Sequence, residues 1–203
     1  MFSISIKTDM NTPKVTGIVL AGGRSTRMGT DKSLMKLNGK SLVEYSIEAL
    51  LPICSKVVIS SGNLSYDFTG CEVWPDELPV QAPINGIYSC LKRSTTELNI
   101  ILSCDMPLMS TSMLRYLLEK SADYTITVPI HENGQIEPLC GIYKKSSLEI
   151  LKEFIDSRNY RLNECIRAAS HQLIAVDSQI PCCTPNMFIN VNTLADFNNL
   201  LSD

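Results

Sequence analysis

The sequence lacks the patterns that would place this protein in a membrane or on a secretory route. No apolar run approaches the roughly 20 residues that a transmembrane helix needs. Residues 1–14 have no apolar middle of the kind that signal peptides carry, because Lys7 and Asp9 interrupt them. We therefore expect a cytoplasmic protein with no membrane partner. We expect a flexible N-terminal tail over residues 1–13 and a single domain over residues 14–203.

A strong charge of either sign is also missing. The 203 residues carry 18 lysines and arginines against 21 aspartates and glutamates, which gives a formal net charge of -3. General nucleic-acid binding usually brings a basic surface, so this balance and a pI near 5.5 argue against such a partner. The eight cysteines contain no C-x-x-C pair, which disfavours a zinc site and leaves buried, reduced thiols as the better interpretation.

What the sequence does have is a glycine-rich, basic loop after an apolar run. Residues 15–20 predict a short buried strand, and residues 21–32 follow it with the sequence AGGRSTRMGTDK. Gly22 and Gly23 allow the backbone to approach a ligand closely, and N–H groups in such a loop can face phosphate oxygens. The loop also carries three cations, which are Arg24, Arg27 and Lys32. This combination predicts a phosphate-binding loop, and a plain surface turn explains the clustered charge less well.

The loop matches neither of the two best-known phosphate-binding templates. The dinucleotide fingerprint needs G-x-G-x-x-G, which the adjacent Gly22 and Gly23 do not supply. The P-loop needs G-x-x-x-x-G-K-[ST], but Gly23 and Gly29 are one residue too far apart and Lys32 comes two residues too late. The spacing therefore predicts that a longer loop wraps the phosphates.

Predicted strands and helices alternate along the chain. The predicted strands span residues 15–20, 56–60, 71–74, 98–103, 124–128, 139–143, 173–176 and 187–189, with a short extended piece at 34–37. The predicted helices span residues 41–51, 84–91, 111–120, 147–155, 162–169 and 193–201. Ser41 and Glu44 have the spacing of a capping box at the start of the first helix. The alternation predicts an α/β fold with a three-layer, mostly parallel, doubly wound (Rossmann-like) sheet.

An aspartate follows the predicted strand 98–103, which is nearly continuous in its apolar character. Ligands of doubly wound sheets bind outside the carboxyl ends of strands where the strand order reverses. If this strand lies beside strand 15–20, Asp105 and the glycine-rich loop meet at that edge. A carboxylate there could hold Mg²⁺, which takes one or two carboxylates together with phosphate oxygens. A local turn role for Asp105 before Pro107 is the alternative.

Further polar candidates lie in the loops after the other strands. Asp76 and Glu77 could accept a hydrogen bond from a base amine or help to bind a metal, and a solvated acidic loop explains them equally well. Asn190 and Asn192 would point the same way in an extended segment and could bind a polar substrate. Asn192 could instead cap the last helix.

The two histidines receive no role from the sequence. His131 and His171 have no spacing typical of metal ligands, and no partner pattern links either of them to a cysteine nucleophile. We therefore expect both to be incidental to function.

Together these motifs resemble those of the molybdenum cofactor guanylyltransferases. This family lies within the larger group of nucleotidyltransferases that have a glycosyltransferase-like Rossmann sheet, of the nucleotide-diphospho-sugar transferase type. The matching motifs are Leu20-Ala21-Gly22-Gly23, Arg27-Met28-Gly29, Asp31-Lys32, Cys104-Asp105-Met106-Pro107 and Asn190-Val191-Asn192-Thr193. The resemblance runs from about Lys14 to the end of the chain. The first loop is typical of the larger group, and the Asn-Val-Asn-Thr segment narrows the resemblance to the cofactor enzymes.

The resemblance implies a role for each matched residue. The nucleotide would be bound by Leu20, Ala21, Gly22, Gly23, Arg24, Lys32, Ser60, Asp76 and Asp105. Lys32, Arg27 and Asp105 would be catalytic, and Asp105 would also carry the Mg²⁺ cofactor. Asn190 and Asn192 would face the pterin substrate.

Two positions depart from the family pattern. Ser60 stands where the family often has asparagine, which leaves its contact with the nucleotide open. Leu194 replaces the usual proline after Asn-Thr, which should affect only the entry of the last helix.

The implied reaction transfers GMP from GTP to Mo-molybdopterin and releases pyrophosphate. The implied partners are these two substrates and proteins that deliver the cofactor, and a monomer is expected. Three alternatives stay open: a relative that uses CTP on the same cofactor, a sugar-phosphate nucleotidyltransferase, and a non-catalytic nucleotide-binding protein on the same fold.

Overall fold

A seven-stranded sheet forms the centre of this computed structural model, which describes residues 14–22, 32–62, 66–177, 180–184, 186–191 and 195–196. The strands are β1 (Val15–Leu20), β2 (Lys36–Leu37), β3 (Lys40–Ser41), β4 (Lys56–Ser60), β5 (Glu72–Trp74), β6 (Leu98–Ser103), β7 (Ile126–Ile130), β8 (Cys140–Lys144) and β9 (His171–Ala175). The helices are α1 (Leu42–Leu50), α2 (Pro83–Arg93), α3 (Thr111–Lys120), α4 (Leu148–Asp156) and α5 (Leu162–Ala168), with 3₁₀ turns at Lys32–Leu34, Asp67–Thr69 and Lys145–Ser147.

The strand order is β5-β4-β1-β6-β8-β7-β9, with β2 and β3 forming a separate hairpin. β1 pairs in parallel with both β4 and β6, whereas β8 runs antiparallel to both of its neighbours. Leu20 is in register with Ser60 on one side and with Ser103 on the other, so three carboxyl ends lie level. The predicted mostly parallel, doubly wound sheet is confirmed, as is the pairing of strand 15–20 with strand 98–103.

Helices cover both faces of the sheet, because its central strands are apolar on both sides. In β6, Ile100 and Leu102 point into the core beneath α1 and α3, and Ile101 points into the core beneath α2, α4 and α5. All three side chains are fully buried. This arrangement is the predicted three-layer α/β architecture.

Local sequence signals explain where several elements begin. The β2–β3 hairpin turns at Asn38 and Gly39, which both have positive φ. In α1 the Glu44 carboxylate accepts a hydrogen bond from the Ser41 N–H at 2.8 Å, as the capping-box spacing predicts. The N-cap of α3 is Ser110, whose hydroxyl accepts a hydrogen bond from the N–H of Met113. Asp105 therefore does not cap this helix.

The prediction of a strand at residues 187–189 is wrong. These residues form a turn, in which the N–H of Ile189 donates to the carbonyl of Asn186 at 2.9 Å, and Asn186 has a φ of 70°. The extended piece predicted at 34–37 is strand only over Lys36–Leu37. Most of the predicted helix 193–201 lies outside the described residues.

None of the eight cysteines forms a disulfide, and four of them are buried: Cys90, Cys104, Cys140 and Cys165. Burial raises the pKa of Cys90 to about 12, which suits an inert core thiol better than a nucleophile. Among the helices in the described part of the chain, none has the length and apolar character required to cross a bilayer.

Candidate active site

A cavity of about 380 Å³ opens at the carboxyl ends of β1, β4 and β6. The residues around it include Leu20, Gly22, Ser60, Asp76, Gly86 and Ser103. The level strand ends create this opening, and α2 closes it from one side with Pro83 at its first turn. Four residues that the sequence singled out, Leu20, Gly22, Ser60 and Asp76, are thus brought together. Ala21 lies beside them but is buried, and its N–H donates to the carbonyl of Ser60 at 3.0 Å.

Gly86 keeps the cavity open where α2 crosses it. A Cβ atom at this position would lie 3.0 Å from Ser60 Oγ and 3.5 Å from both Asp76 Oδ1 and Leu20 Cδ2. Any larger side chain would therefore fill the space between Ser60 and Asp76. Sequence reasoning missed this role, because a glycine inside a predicted helix carries no local mark of a ligand.

The two acidic residues after β5 have different surroundings. Asp76 faces the cavity, and partial burial of its carboxyl group raises its pKa above the ordinary value, although a hydrogen bond with Ser60 opposes that shift. Glu77 instead forms an exposed ion pair with Lys92 at 2.5 Å. Of the two candidates, the structure therefore favours Asp76 as a ligand-binding residue.

Beside the cavity, Lys32 Nζ donates to Asp105 Oδ2 at 3.0 Å. The two side chains are only 14% and 20% exposed. The N–H of Cys104 donates to the carbonyl of Leu20 at 3.1 Å, which fixes the Asp105 turn against the end of β1. Residues 73 positions apart in the chain thus form one charged pair next to the cavity.

The second carboxylate oxygen of Asp105 fits a divalent cation. Oδ1 is buried and has no hydrogen-bond partner among the described residues. Buried polar atoms are normally paired, so an orphaned carboxylate oxygen beside a cavity marks a position for a ligand. Mg²⁺ prefers oxygen and typically binds through one or two carboxylates plus phosphate oxygens and water, and this donor suits it.

A buried tyrosine anchors the segment that carries Lys32. Tyr66 Oη lies 2.6 Å from Ser33 Oγ and donates to the carbonyl of Ala21 at 3.4 Å. This bridge joins the end of β1 to the 3₁₀ turn that begins at Lys32. Sequence reasoning missed Tyr66, because it lies in a polar stretch without periodicity.

The segment that carries Asn190 is bonded to the backbone of Asp105. The buried Val191 donates its N–H to the carbonyl of Asp105 at 2.9 Å. The Asn190 side chain donates to the carbonyl of Phe188 at 3.3 Å. One of the two predicted asparagines therefore lies near the charged pair, and Asn192 lies outside the described residues, as do Gly23, Arg24 and Arg27.

A second cavity of about 510 Å³ adjoins the first and shares Pro83 and Leu139 with it. Arg161 and Tyr160 line it, and Arg161 makes an exposed 2.8 Å ion pair with Glu164. Sequence reasoning missed this cavity, because no motif marks the start of α5.

Comparison with known proteins gives consistent matches. Residues 17–173 match the model of the MobA-like NTP transferase domain. A probable molybdenum cofactor guanylyltransferase of Flavobacterium johnsoniae is 32% identical, over 92% of this chain and 96% of its own. A crystal structure of an Aquifex aeolicus protein, 30% identical, aligns with a TM-score of 0.74 over 88% of this chain and 93% of its own.

The fold is also that of molybdopterin-guanine dinucleotide biosynthesis protein A from Archaeoglobus fulgidus. That structure aligns with a TM-score of 0.76 over 92% of this chain and 97% of its own, at 22% identity. At this identity the likeness bears on the fold alone. It agrees with the nucleotidyltransferase type of sheet expected from the sequence motifs.

Proposed function

Because this chain belongs to the MobA-like NTP transferase family, we propose that it transfers GMP from GTP to Mo-molybdopterin. The observation that carries the proposal is the cavity at the carboxyl ends of β1, β4 and β6, with the Lys32–Asp105 pair at its side. The name of the Flavobacterium relative supports the choice of GTP and of the acceptor. The product is the molybdopterin guanine dinucleotide.

In this proposal GTP occupies the cavity. Leu20, Ala21 and Gly22, followed by Gly23 and Arg24, contact the nucleotide where β1 ends. Ser60 and Asp76 bind its nucleoside part. An ionised Asp76 can accept hydrogen bonds from a base, which suits the amino and imino groups of guanine.

The phosphates then lie toward Lys32 and Asp105. Asp105 would hold Mg²⁺ through its orphaned Oδ1, and the bound cation would supply Lewis-acid neutralisation of phosphate charge. Lys32 neutralises charge from the other side of the same carboxylate, and Arg27 adds a further cation. Together these groups favour a transition state in which negative charge builds up on the leaving pyrophosphate.

The transfer needs no protein nucleophile, because the acceptor is already an anion. A terminal phosphate oxygen of molybdopterin forms a bond to the α-phosphorus of GTP, and the bond from that phosphorus to the α–β bridging oxygen breaks. The electron pair leaves with pyrophosphate. The protein contributes positioning and charge neutralisation.

The acceptor approaches from the side opposite the leaving pyrophosphate. Asn190, fixed near Asp105 through Val191, is one contact for the pterin, and Asn192 is a second. The cavity beside Arg161 adjoins the nucleotide cavity and supplies an exposed cation for an anionic acceptor. These residues are our candidates for the acceptor side.

Pyrophosphate release tests the proposal directly. Purified protein with Mg²⁺, GTP and Mo-molybdopterin should release pyrophosphate and form the dinucleotide. A protein that binds GTP but never releases pyrophosphate would be a non-catalytic nucleotide-binding protein.

Thermal unfolding with GTP, CTP, ATP and UTP in turn tests the base. GTP should raise the unfolding temperature most, and stabilisation by CTP alone would overturn the guanylyl assignment. Replacing molybdopterin with sugar phosphates in the pyrophosphate assay tests the remaining alternative.

A further inference from the structure

His131 connects the turn after β7 to the segment that carries Asn190. The rings of His131 and Phe188 meet edge to face, with centroids 5.3 Å apart and an interplanar angle of 86°. Offset and edge-to-face pairs are the favourable arrangements of aromatic rings. Phe188 is only two residues from Asn190, and its carbonyl accepts the Asn190 side-chain hydrogen bond.

A buried carboxylate orients the His131 ring. Nε2 of His131 lies 2.9 Å from Oε1 of Glu137, and the Gln135 side chain donates to the same oxygen at 3.1 Å. Glu137 is only 5% exposed. The backbone N–H of His131 donates to the backbone carbonyl of Gln135 at 2.8 Å, which closes the turn. A buried carboxylate needs such partners, so this ring is held in one orientation.

The segment that receives this contact has little regular structure of its own. Residues 186–189 form a turn, in which Met187 is buried in the core, and the N–H of Val191 further along donates to the carbonyl of Asp105. Phe188 is half-buried between these two anchors. The contact with His131 therefore limits where the segment, and Asn190 with it, can lie relative to Asp105.

We infer that His131 is a positioning residue for the acceptor substrate, acting through Phe188 on Asn190. The inference rests on the proposed function, in which Asn190 contacts the pterin. The inference treats the two substrates separately, because the His131 contact lies on the proposed acceptor side, whereas Ser60, Asp76 and Gly86 line the proposed nucleotide cavity. Loss of the His131 contact should weaken binding of the acceptor and leave binding of GTP unaffected.

Steady-state kinetics of His131→Ala and Phe188→Leu test this separation. An edge-to-face pair corresponds to about a 2- to 12-fold effect, so the KM for molybdopterin should rise by that factor in each variant. The KM for GTP should stay within about twofold. The double variant should be no worse than the more impaired single variant, because both remove the same contact.

Two further variants separate positioning from a general loss of structure. His131→Phe keeps an aromatic edge toward Phe188 but loses the hydrogen bond to Glu137, so it should recover only part of the molybdopterin KM. His171→Ala is the matched control, because His171 lies on strand β9 and bonds to the carbonyl of Ala169. It should leave both KM values unchanged. An equal rise of both KM values in His131→Ala, or no rise in either, would overturn the inference.

Amide hydrogen exchange tests the same contact without any turnover. In His131→Ala the N–H of Val191 should exchange faster than in wild type, while the amides of β6 keep their protection. Unchanged exchange at Val191 would overturn the inference even if the protein proved inactive. If wild-type protein released no pyrophosphate but His131→Ala still accelerated exchange at Val191, the proposed function would be refuted and the positioning contact would stand.

Discussion

Replacing Asp105 with asparagine removes one charge and almost no volume. The variant loses the negative charge that pairs with Lys32 at 3.0 Å, and one of its two carboxylate oxygens, which include the Oδ1 assigned to Mg²⁺, becomes an amide NH₂ group. Its backbone carbonyl remains, so the hydrogen bond from Val191 should survive. Asp105→Asn therefore tests the charge at this site with little change of shape.

The expected loss of rate follows from the burial of the pair. Two unit charges 3.0 Å apart interact by about 5.5 kcal/mol at an effective dielectric constant of about 20, and residual solvent reduces the net value. Removing one preorganised electrostatic stabiliser from an active site typically costs about 10²- to 10³-fold in rate. We expect Asp105→Asn to lose at least about 10²-fold in kcat.

The assay is pyrophosphate release at saturating GTP, molybdopterin and Mg²⁺, with thermal unfolding of the same samples. Glu77→Gln is the matched control, because it removes a carboxylate from the exposed Lys92 pair, and exposed pairs contribute only about 0–1 kcal/mol. Its rate should stay within about twofold of wild type. Near-normal turnover of a folded Asp105→Asn protein would refute the catalytic and metal-binding roles given to Asp105.

Three further predictions concern the cavity and the first helix. Gly86→Ala should weaken GTP binding by about tenfold or more, because its Cβ would lie 3.0 Å from Ser60 Oγ, whereas alanine should leave the stability of the helix unchanged or raise it. Calorimetric titration measures the loss of binding, and thermal unfolding measures the stability. Asp76→Asn should raise the unfolding temperature only slightly at pH 7 and bring little gain near pH 3.8, because partial desolvation penalises the ionised carboxylate that wild type carries above its raised pKa, while the exposed position of Asp76 screens the effect. Glu44→Gln should lower the unfolding temperature at neutral pH. The hydrogen bonds from Ser41 lower the folded-state pKa of Glu44, so that difference should vanish as the pH falls from 4.5 through this lowered pKa. Thermal scans across pH 3–7 test this.

The sheet could be predicted from the sequence because its strands are strongly apolar and clearly bounded. The predicted bounds 15–20, 56–60 and 98–103 are those of β1, β4 and β6. The run Met187-Phe188-Ile189 is equally apolar and was wrongly predicted as a strand. There, Met187 packs into the core and Phe188 packs on His131, so tertiary contacts decide the backbone.

The candidate site was predictable only where chemistry and strand ends coincide. Lys32, Asp76 and Asp105 each follow a strand or a glycine-rich loop, so their placement at one edge of the sheet follows from topology. Gly86, Tyr66 and Glu137 lie inside a helix or in loops, where a local pattern gives no reason to select them. Their importance arises from partners distant in the chain, such as Ser60 for Gly86 and Ala21 for Tyr66.

Asp105 joins the two halves of the candidate site through different atoms. Its carboxylate faces Lys32 on the proposed nucleotide side, and its carbonyl accepts the Val191 N–H on the proposed acceptor side. A side-chain substitution therefore removes charge without releasing the acceptor segment. Loss of the His131–Phe188 contact does the reverse, since it acts on residues 186–191 and leaves the carboxylate in place. The two perturbations should consequently fall on different kinetic constants, kcat for Asp105 and the molybdopterin KM for His131.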